Sequence, residues 1–169
     1  VTKLYYGENQ MKQISKMKFI HEPGDYHNYQ SVCTTLLGIA IERATKKQLG
    51  KYLEEKIWKP LQMENNATWS IDDKIRKNTK AFCCLNTTAI DLAKLARLVL
   101  NKGKFNGKQI VSEKWINNLT TANKDNGCYQ YQWYSHNCSE DYYALGILGQ
   151  IIYIAPSEEL IIIRLGKSN

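Results

Sequence analysis

A chain of 169 residues, 43% hydrophobic and 11% aromatic, carries the apolar material for one globular core and lacks the bias of a disordered segment. Its net charge of +7 includes lysines at 3, 12, 16 and 18 and again at 46, 47 and 51. They could attract an anionic polymer, but without interleaved aromatics they read as a solvated face and not as a nucleic-acid interface. No window reaches the roughly eighteen uninterrupted apolar residues of a membrane span. His21, His27 and His136 lie too far apart for metal-ligand spacing, so no metal or cofactor is expected.

Leu4-Tyr5-Tyr6-Gly7 opens a polar, lysine-bearing segment, with a helix expected from about Asn9 to Met17 and Met11, Ile14 and Met17 on one side. Pro23-Gly24 should stop whatever precedes it. Ser31 or Thr34 is placed to cap the apolar run Leu36, Leu37, Ile39, Ala40, Ile41. Tyr29 and Ser31 then stand at the mouth of a helix. A tyrosine beside a cation can shuttle protons, and a serine two positions on can orient an amide or ester; a capped turn with a snorkelling tyrosine is the plainer alternative. Val32 to Lys46 is apolar nearly all round and should be a central buried helix, with Gly38 set for close approach to another element. Leu49 to Ile57 continues as an amphipathic helix that Pro60 ends.

Asn65 to Asn86, rich in Asn, Asp and Thr, reads as a long surface excursion anchored by Trp69. Thr88 caps a helix whose Ala89, Leu92, Ala93, Ala96, Val99 and Leu100 recur at helical spacing, with Asp91 complementing the dipole and Gly103 as the left-handed stop. Asn106-Gly107 makes a tight turn, and Ser112 caps a short helix to about Thr121. From Tyr129 the period becomes two. Tyr129 to Trp133, Tyr142 to Ile154 and Leu160 to Leu165 are read as a three-stranded antiparallel meander, turning at Pro156 to Glu159. Five cysteines (33, 83, 84, 128, 138) leave an odd count and contain no Cys-x-x-Cys, and adjacent Cys83-Cys84 rarely bridge each other, so they read mainly as packing residues. Asn66, Asn86, Asn118 and Asn137 begin Asn-x-Ser/Thr sequences, which matter only in a eukaryotic secreted protein.

Four motifs in order carry a family likeness. Tyr29-Gln30-Ser31 resembles the Tyr-x-Asn or Tyr-x-Ser second motif of the β-lactamase-related serine hydrolases, which include class C β-lactamases, D-alanyl-D-alanine carboxypeptidases, esterases and 6-aminohexanoate-oligomer hydrolases. Trp58-Lys59-Pro60-Leu61-Gln62-Met63 is similar to their Trp-x-Pro-Leu-Gly-Met turn, with Gln62 where glycine is usual. Thr88 to Gly103 resembles their Thr-x-x-Asp-Leu-Ala-x-Leu helix, and Gly146-Ile147-Leu148-Gly149-Gln150 their Gly-x-x-Gly-Gln strand. The aminohexanoate type is the branch most resembled.

The resemblance implies an α/β (α+β) transpeptidase-like fold, with a mainly helical part over residues 1–122 and a sheet part over 128–166. It also implies that a nucleophilic Ser-x-x-Lys, and the outer strands of the sheet, precede this chain. Ser15-Lys16-Met17-Lys18 spells the motif, but eight serines and 19 lysines yield about one such match by chance. By resemblance, Tyr29 and the upstream lysine would relay the serine's proton during acylation by an amide or ester substrate. Ser31 would bond that lysine or the substrate, in the place of the β-lactamase asparagine. Gly146, Ile147, Gly149 and Gln150 would line the opposite wall, with the Ile147 N–H as one oxyanion donor. Leu148 supplies neither the lysine nor the histidine common on that strand. A periplasmic or envelope setting follows from the family alone. The rival expectations are a non-catalytic protein gripping envelope peptide or glycan, and one half of a split enzyme.

Overall fold

The computed structural model describes residues 2–166 apart from 19, 23, 122–124 and 126, so the Pro23 half of the expected stop lies outside the described residues. The chain divides into two compact units, Val1–Lys56 with Ala67–Asn86, and Ile57–Asn66 with Thr87–Asn169. The helical part expected over residues 1–122 is thus shared between both units.

In the first unit, α1 (Thr2–Tyr6) buries Leu4, and α2 (Gln10–Ile14) begins at Asn9, whose side chain accepts the Lys12 N–H. The helix expected to Met17 ends at Ile14, and a last turn closes with Met17 N–H to Ile14 O. Beyond Ile14 the Ser-Lys-Met-Lys stretch is exposed, so no buried stripe extends the helix. The long helix α3 (Ser31–Thr45) forms over the expected run, but neither Ser31 nor Thr34 caps it. Gln30 is the N-cap without a side-chain bond, Ser31 is the first helical residue, and the Thr35 hydroxyl donates back to Ser31 O at 3.0 Å. Only Thr35 and Gly38 of α3 are buried; Leu36 and Leu37 stand 41% and 56% exposed, so the expectation of a buried helix is corrected. Gly38 behaves as anticipated. A Cβ there would lie 2.6 Å from the Ala81 methyl, so only glycine admits this approach.

The helix α4 (Leu49–Leu53) starts where Glu42 Oε1 accepts the Leu49 N–H at 2.8 Å, and runs on into a π turn, Glu54–Trp58. The loop beyond position 66 has more internal order than a bare excursion. β1 (Thr68–Trp69) pairs antiparallel with β2 (Leu85–Asn86), and Ile71 bridges Thr79. The Asp72 carboxylate gathers the Asp73 and Asn78 N–H groups on one oxygen, and the Asn78 side-chain amide and the Gln10 N–H on the other. The Trp69 indole donates to the carbonyls of Lys80 and Cys83, which confirms it as the anchor of this loop.

In the second unit, α5 (Ala89–Leu100) is capped by Thr88, whose hydroxyl accepts the Asp91 N–H at 3.3 Å. Gly103, at φ 82°, closes the helix with its N–H on Leu98 O, and Val111 O lies 2.0 Å from where a Cβ would stand. β3 (Lys104–Phe105) and β4 (Lys108–Gln109) are joined by Asn106-Gly107, both at positive φ, as a two-residue hairpin turn requires. Ser112 caps α6 (Glu113–Thr120).

The expected three-stranded meander has five strands, paired in sequence order and all antiparallel: β5 (Tyr129–Gln130), β6 (Trp133–Ser135), β7 (Tyr142–Leu145), β8 (Ile151–Ala155) and β9 (Leu160–Arg164). The alternating run from Tyr129 to Trp133 is a hairpin, because Tyr131 and Gln132 both take positive φ. The register puts Ser135, Tyr142, Ile154 and Ile161 in one row and Tyr129, Tyr134, Tyr143, Tyr153 and Ile162 in a neighbouring row. Neighbouring rows face opposite sides of the sheet. The first side packs Tyr142, Ile152, Ile154, Ile161 and Ile163 against Ala96 and Val99 of α5 and Ile116 and Leu119 of α6. Burial there pushes the Tyr142 phenol up to about 12. On the second side the tyrosine rings stack, with centroids 5.4 Å apart for Tyr134–Tyr143 and 6.4 Å for Tyr143–Tyr153.

Two cysteine pairs correct the packing assignment. Cys83 bonds Cys84, Cys128 bonds Cys138 across the β5–β6 hairpin, and Cys33 is free and exposed.

The segment from Ile57 to Asn66 is fastened to α5 through Asp91, which is 0% exposed. One carboxylate oxygen accepts the Glu64 N–H at 2.7 Å; the other accepts the Asn65 N–H, the Asn65 side-chain amide and the Thr88 hydroxyl at 3.2, 3.1 and 2.8 Å. Leu61 is buried with Leu98 and Phe105 beneath this junction, and Gln62 takes the left-handed φ of 52° that favours the glycine usual in the motif. Burial alone would raise the Asp91 carboxyl, but the bonds from Glu64, Thr88 and Asn65 hold it below its ordinary value of 3.8. Its contribution to stability is therefore present above that value and lost as pH falls through the lower folded one. We expect Asp91→Ala, which strands buried donors, to cost about 3 kcal/mol in urea unfolding. In thermal melts the native protein should lose stability on acidification below pH 3.8, and Asp91→Asn should flatten that loss.

Candidate active site

The expected site residues fall into two groups, one in each unit. In the first unit the chain reaches α3 in extended conformation, Gln30 at φ −135° and ψ 120°, so that Tyr29 and Ser31 flank the cap. Tyr29 is 57% exposed and Ser31 half-buried. The first amides of α3 stand here without a side-chain cap from Gln30. The Ser31 carbonyl is committed to Thr35, while its hydroxyl sits in the first turn, where a helix presents partial positive charge. An exposed phenol and a half-buried hydroxyl, two residues apart, thus stand at the start of α3.

In the second unit Gly146 to Gln150 is not the strand expected but the turn between β7 and β8. The Gly146 N–H donates to Gln150 O at 2.8 Å, and the Gly149 N–H donates to Gly146 O at 3.0 Å. The Gln150 side chain folds back to accept the Leu148 N–H at 3.1 Å. Those bonds engage three amides of the turn and leave out the amide of Ile147, the expected oxyanion donor. Ile147 itself is 98% exposed at the tip. Gly149 lies at φ 78°, and a Cβ on Gly146 would stand 2.5 Å from Gln150 Oε1. The motif's glycines and glutamine thus have local reasons: two shape the turn and the third caps it.

Ser15 closes α2 instead of opening a helix, and its hydroxyl donates to Lys12 O, so it lacks the setting of a Ser-x-x-Lys nucleophile. Among the described residues no cluster of His, Cys, Asp or Glu could hold a metal, and no helix is long and apolar enough to cross a membrane. The sequence reading missed the Asp72 carboxylate and both disulfides. The Asp-Asp pair inside an Asn-rich loop was the one signal for the former.

Gly146→Ala should displace the flexible Gln150 amide and lose its bond to Leu148, costing about 1 kcal/mol by urea denaturation.

The Beta-lactamase family model matches residues 2–169. The 6-aminohexanoate-dimer hydrolase of Paenarthrobacter ureafaciens is 26% identical over 155 residues, which are 82% of this chain and 38% of that protein. The N-acetylmuramyl-L-alanine amidase of Bacillus subtilis strain 168 is 24% identical, covering 92% of this chain and 48% of its own length. A solved structure from Bacillus anthracis, provisionally assigned as a 6-aminohexanoate-dimer hydrolase, superposes with a TM-score of 0.83 at 30% identity over 90% of this chain and 41% of that one. The chain spans less than half the length of each of these relatives. From end to end, this chain belongs to the Beta-lactamase family.

Proposed function

We propose that the chain is the carboxy-terminal part of a serine hydrolase that cleaves an amide or ester through an acyl-enzyme, with the nucleophilic Ser-x-x-Lys upstream. The observation that carries this reading is the Tyr29-Gln30-Ser31 motif, with Tyr29 exposed at the start of α3, in a chain whose relatives include an aminohexanoate-dimer hydrolase and an amidase. In this reading Tyr29 relays the proton between the serine and the leaving amine, helped by the upstream lysine. A tyrosine accepts a proton only as its phenolate, the form that a neighbouring cation favours. Ser31 orients the lysine or the substrate, and the turn from Gly146 to Gln150 borders the acyl group, with the Ile147 N–H offered to the oxyanion. A linear amide of the aminohexanoate type is the substrate class we favour.

The reading also names a partner. Leu36, Leu37 and Ile41 are exposed apolar side chains of α3, and the chain spans less than half the length of these relatives. The amino-terminal segment of the same fold is the occupant we assign to that surface. Purified 1–169 should therefore self-associate, and a monodisperse, cooperatively melting monomer in analytical ultracentrifugation would count against the assignment.

The chemical test uses a fluorophosphonate probe. The 169-residue chain alone should take no label, whereas a longer natural form carrying Ser-x-x-Lys should be labelled once. In that longer form Tyr29→Phe should lower kcat on an aminohexanoate dimer by about 100- to 10,000-fold with the melting temperature unchanged. Labelling of the short chain at any serine would overturn the upstream nucleophile and redirect attention to Ser15.

A further inference from the structure

The Cys83–Cys84 disulfide is the covalent feature of the first unit that the hydrolase reading leaves unused. A bridge between adjacent residues closes a ring on the single peptide that joins them, so it fixes local backbone instead of tying distant segments together. Here both carbonyls of the pair are structural acceptors. Cys83 O takes the Trp69 indole N–H at 2.8 Å, and Cys84 O takes the Ser70 N–H at 3.3 Å. Cys84 is held at φ 72°, in the left-handed region that residues other than glycine populate poorly. Two positions before the ring, the Ala81 methyl occupies the space that Gly38 leaves on α3, and the adjacent Lys80 O accepts a second bond from Trp69 at 3.2 Å. One turn therefore connects the ring, the loop's anchoring indole and the helix that begins at Ser31.

We propose that Cys83–Cys84 is a redox-sensitive latch on the turn from Lys80 to Cys84, closed when oxidised and released by a dithiol reductant. A thiolate of the reductant attacks one sulfur and breaks the protein disulfide, forming a mixed disulfide. The second reductant thiol then closes a cyclic disulfide and leaves Cys83 and Cys84 as thiols, two electrons and two protons having passed to the protein. Both cysteines are half-buried, within reach of a small dithiol. Once the ring is open, nothing covalent holds Cys84 left-handed. That conformation is disfavoured by about 5- to 30-fold for a residue with a side chain, so the turn relaxes and loosens its grip on Trp69 and on α3 at Gly38. The latch stands independently of the hydrolase reading, since its readout is conformational.

The test compares oxidised and dithiothreitol-treated 1–169, with alkylation and peptide mass mapping to assign every cysteine and amide hydrogen exchange followed by segment. Cys83 and Cys84 should resist alkylation until reduced, and reduction should raise exchange across residues 68–86 by about 5- to 30-fold. Cys83→Ser/Cys84→Ser should exchange at the reduced rate and ignore reductant. Cys83→Ser/Cys84→Gly, which supplies a residue at ease with positive φ, should exchange slowly under both conditions. Effects of opening Cys128–Cys138 are read separately, over residues 128–138. Alkylation of both cysteines without reductant, unchanged exchange over 68–86 on reduction, or fast exchange in the Ser/Gly variant would each overturn the latch.

Discussion

The carboxylate of Asp91 is the constraint on which the second unit depends. It lies in the first turn of α5, where a negative charge complements the helix dipole, yet its four accepted bonds include three from Glu64 and Asn65 and one from Thr88. A side chain that could have been a surface cap is thereby buried as the joint between a turn and a helix. The consequence reaches both apolar clusters. α5 sends Ala96 and Val99 toward the sheet and Leu95 and Leu98 toward Leu61 and Phe105. The second cluster exists only while the 57–66 segment is held at the helix start. Lys94, paired with Glu64 at 2.9 Å one turn on, reinforces the same joint from a more exposed position, where an ion pair contributes less.

The first unit is organised differently. Its buried hydrophobic residues among those described are Leu4 and Leu49, while Gln10, Thr35 and Asp72 are buried polar ones. A unit with so little apolar burial cannot rest on hydrophobic area alone. It rests on directional bonds: Asp72 gathering donors from Gln10, Asp73 and Asn78, Glu42 capping Leu49, and the Trp69 indole held by two carbonyls. Such a unit opens more readily than one built on an apolar core, because each bond contributes a modest net amount and water competes for it.

Most of α3, α5 and α6 was legible, since caps, left-handed stops and the 3.6-residue period are local signals: Thr88 with Asp91, Gly103, and Ser112 before Trp115. The misreadings fall where backbone reversals or tertiary surroundings decide. Alternation from Tyr129 to Trp133 looks the same whether the chain stays extended or doubles back at Tyr131 and Gln132, and nothing in the side chains of Tyr or Gln announces a positive φ. Likewise Gly146 and Gly149 advertised a close approach by a strand, whereas they serve a hairpin turn. Hydropathy said that α3 is to be covered, but burial is a property of what surrounds a helix, and Leu37 is more than half exposed. Disulfide partners are set by tertiary proximity, which spacing does not report.

The candidate residues are divided between the two kinds of architecture. Tyr29 and Ser31 lie at the start of α3, seven to nine residues before Gly38, the point at which that helix is pressed against Ala81. Their position is thus set by a helix that is fixed at its middle and exposed along Leu36, Leu37 and Ile41. Beyond that contact the same helix is tied to α4 by Glu42, which accepts the Leu49 N–H. The Gly146–Gln150 turn, by contrast, carries its own internal bonds and sits between two strands whose other ends pack on α5. The Gly146–Gln150 half of the motif set therefore lies on a turn with its own internal bonds, and the Tyr29–Ser31 half at the start of a helix whose anchoring contacts begin at Gly38.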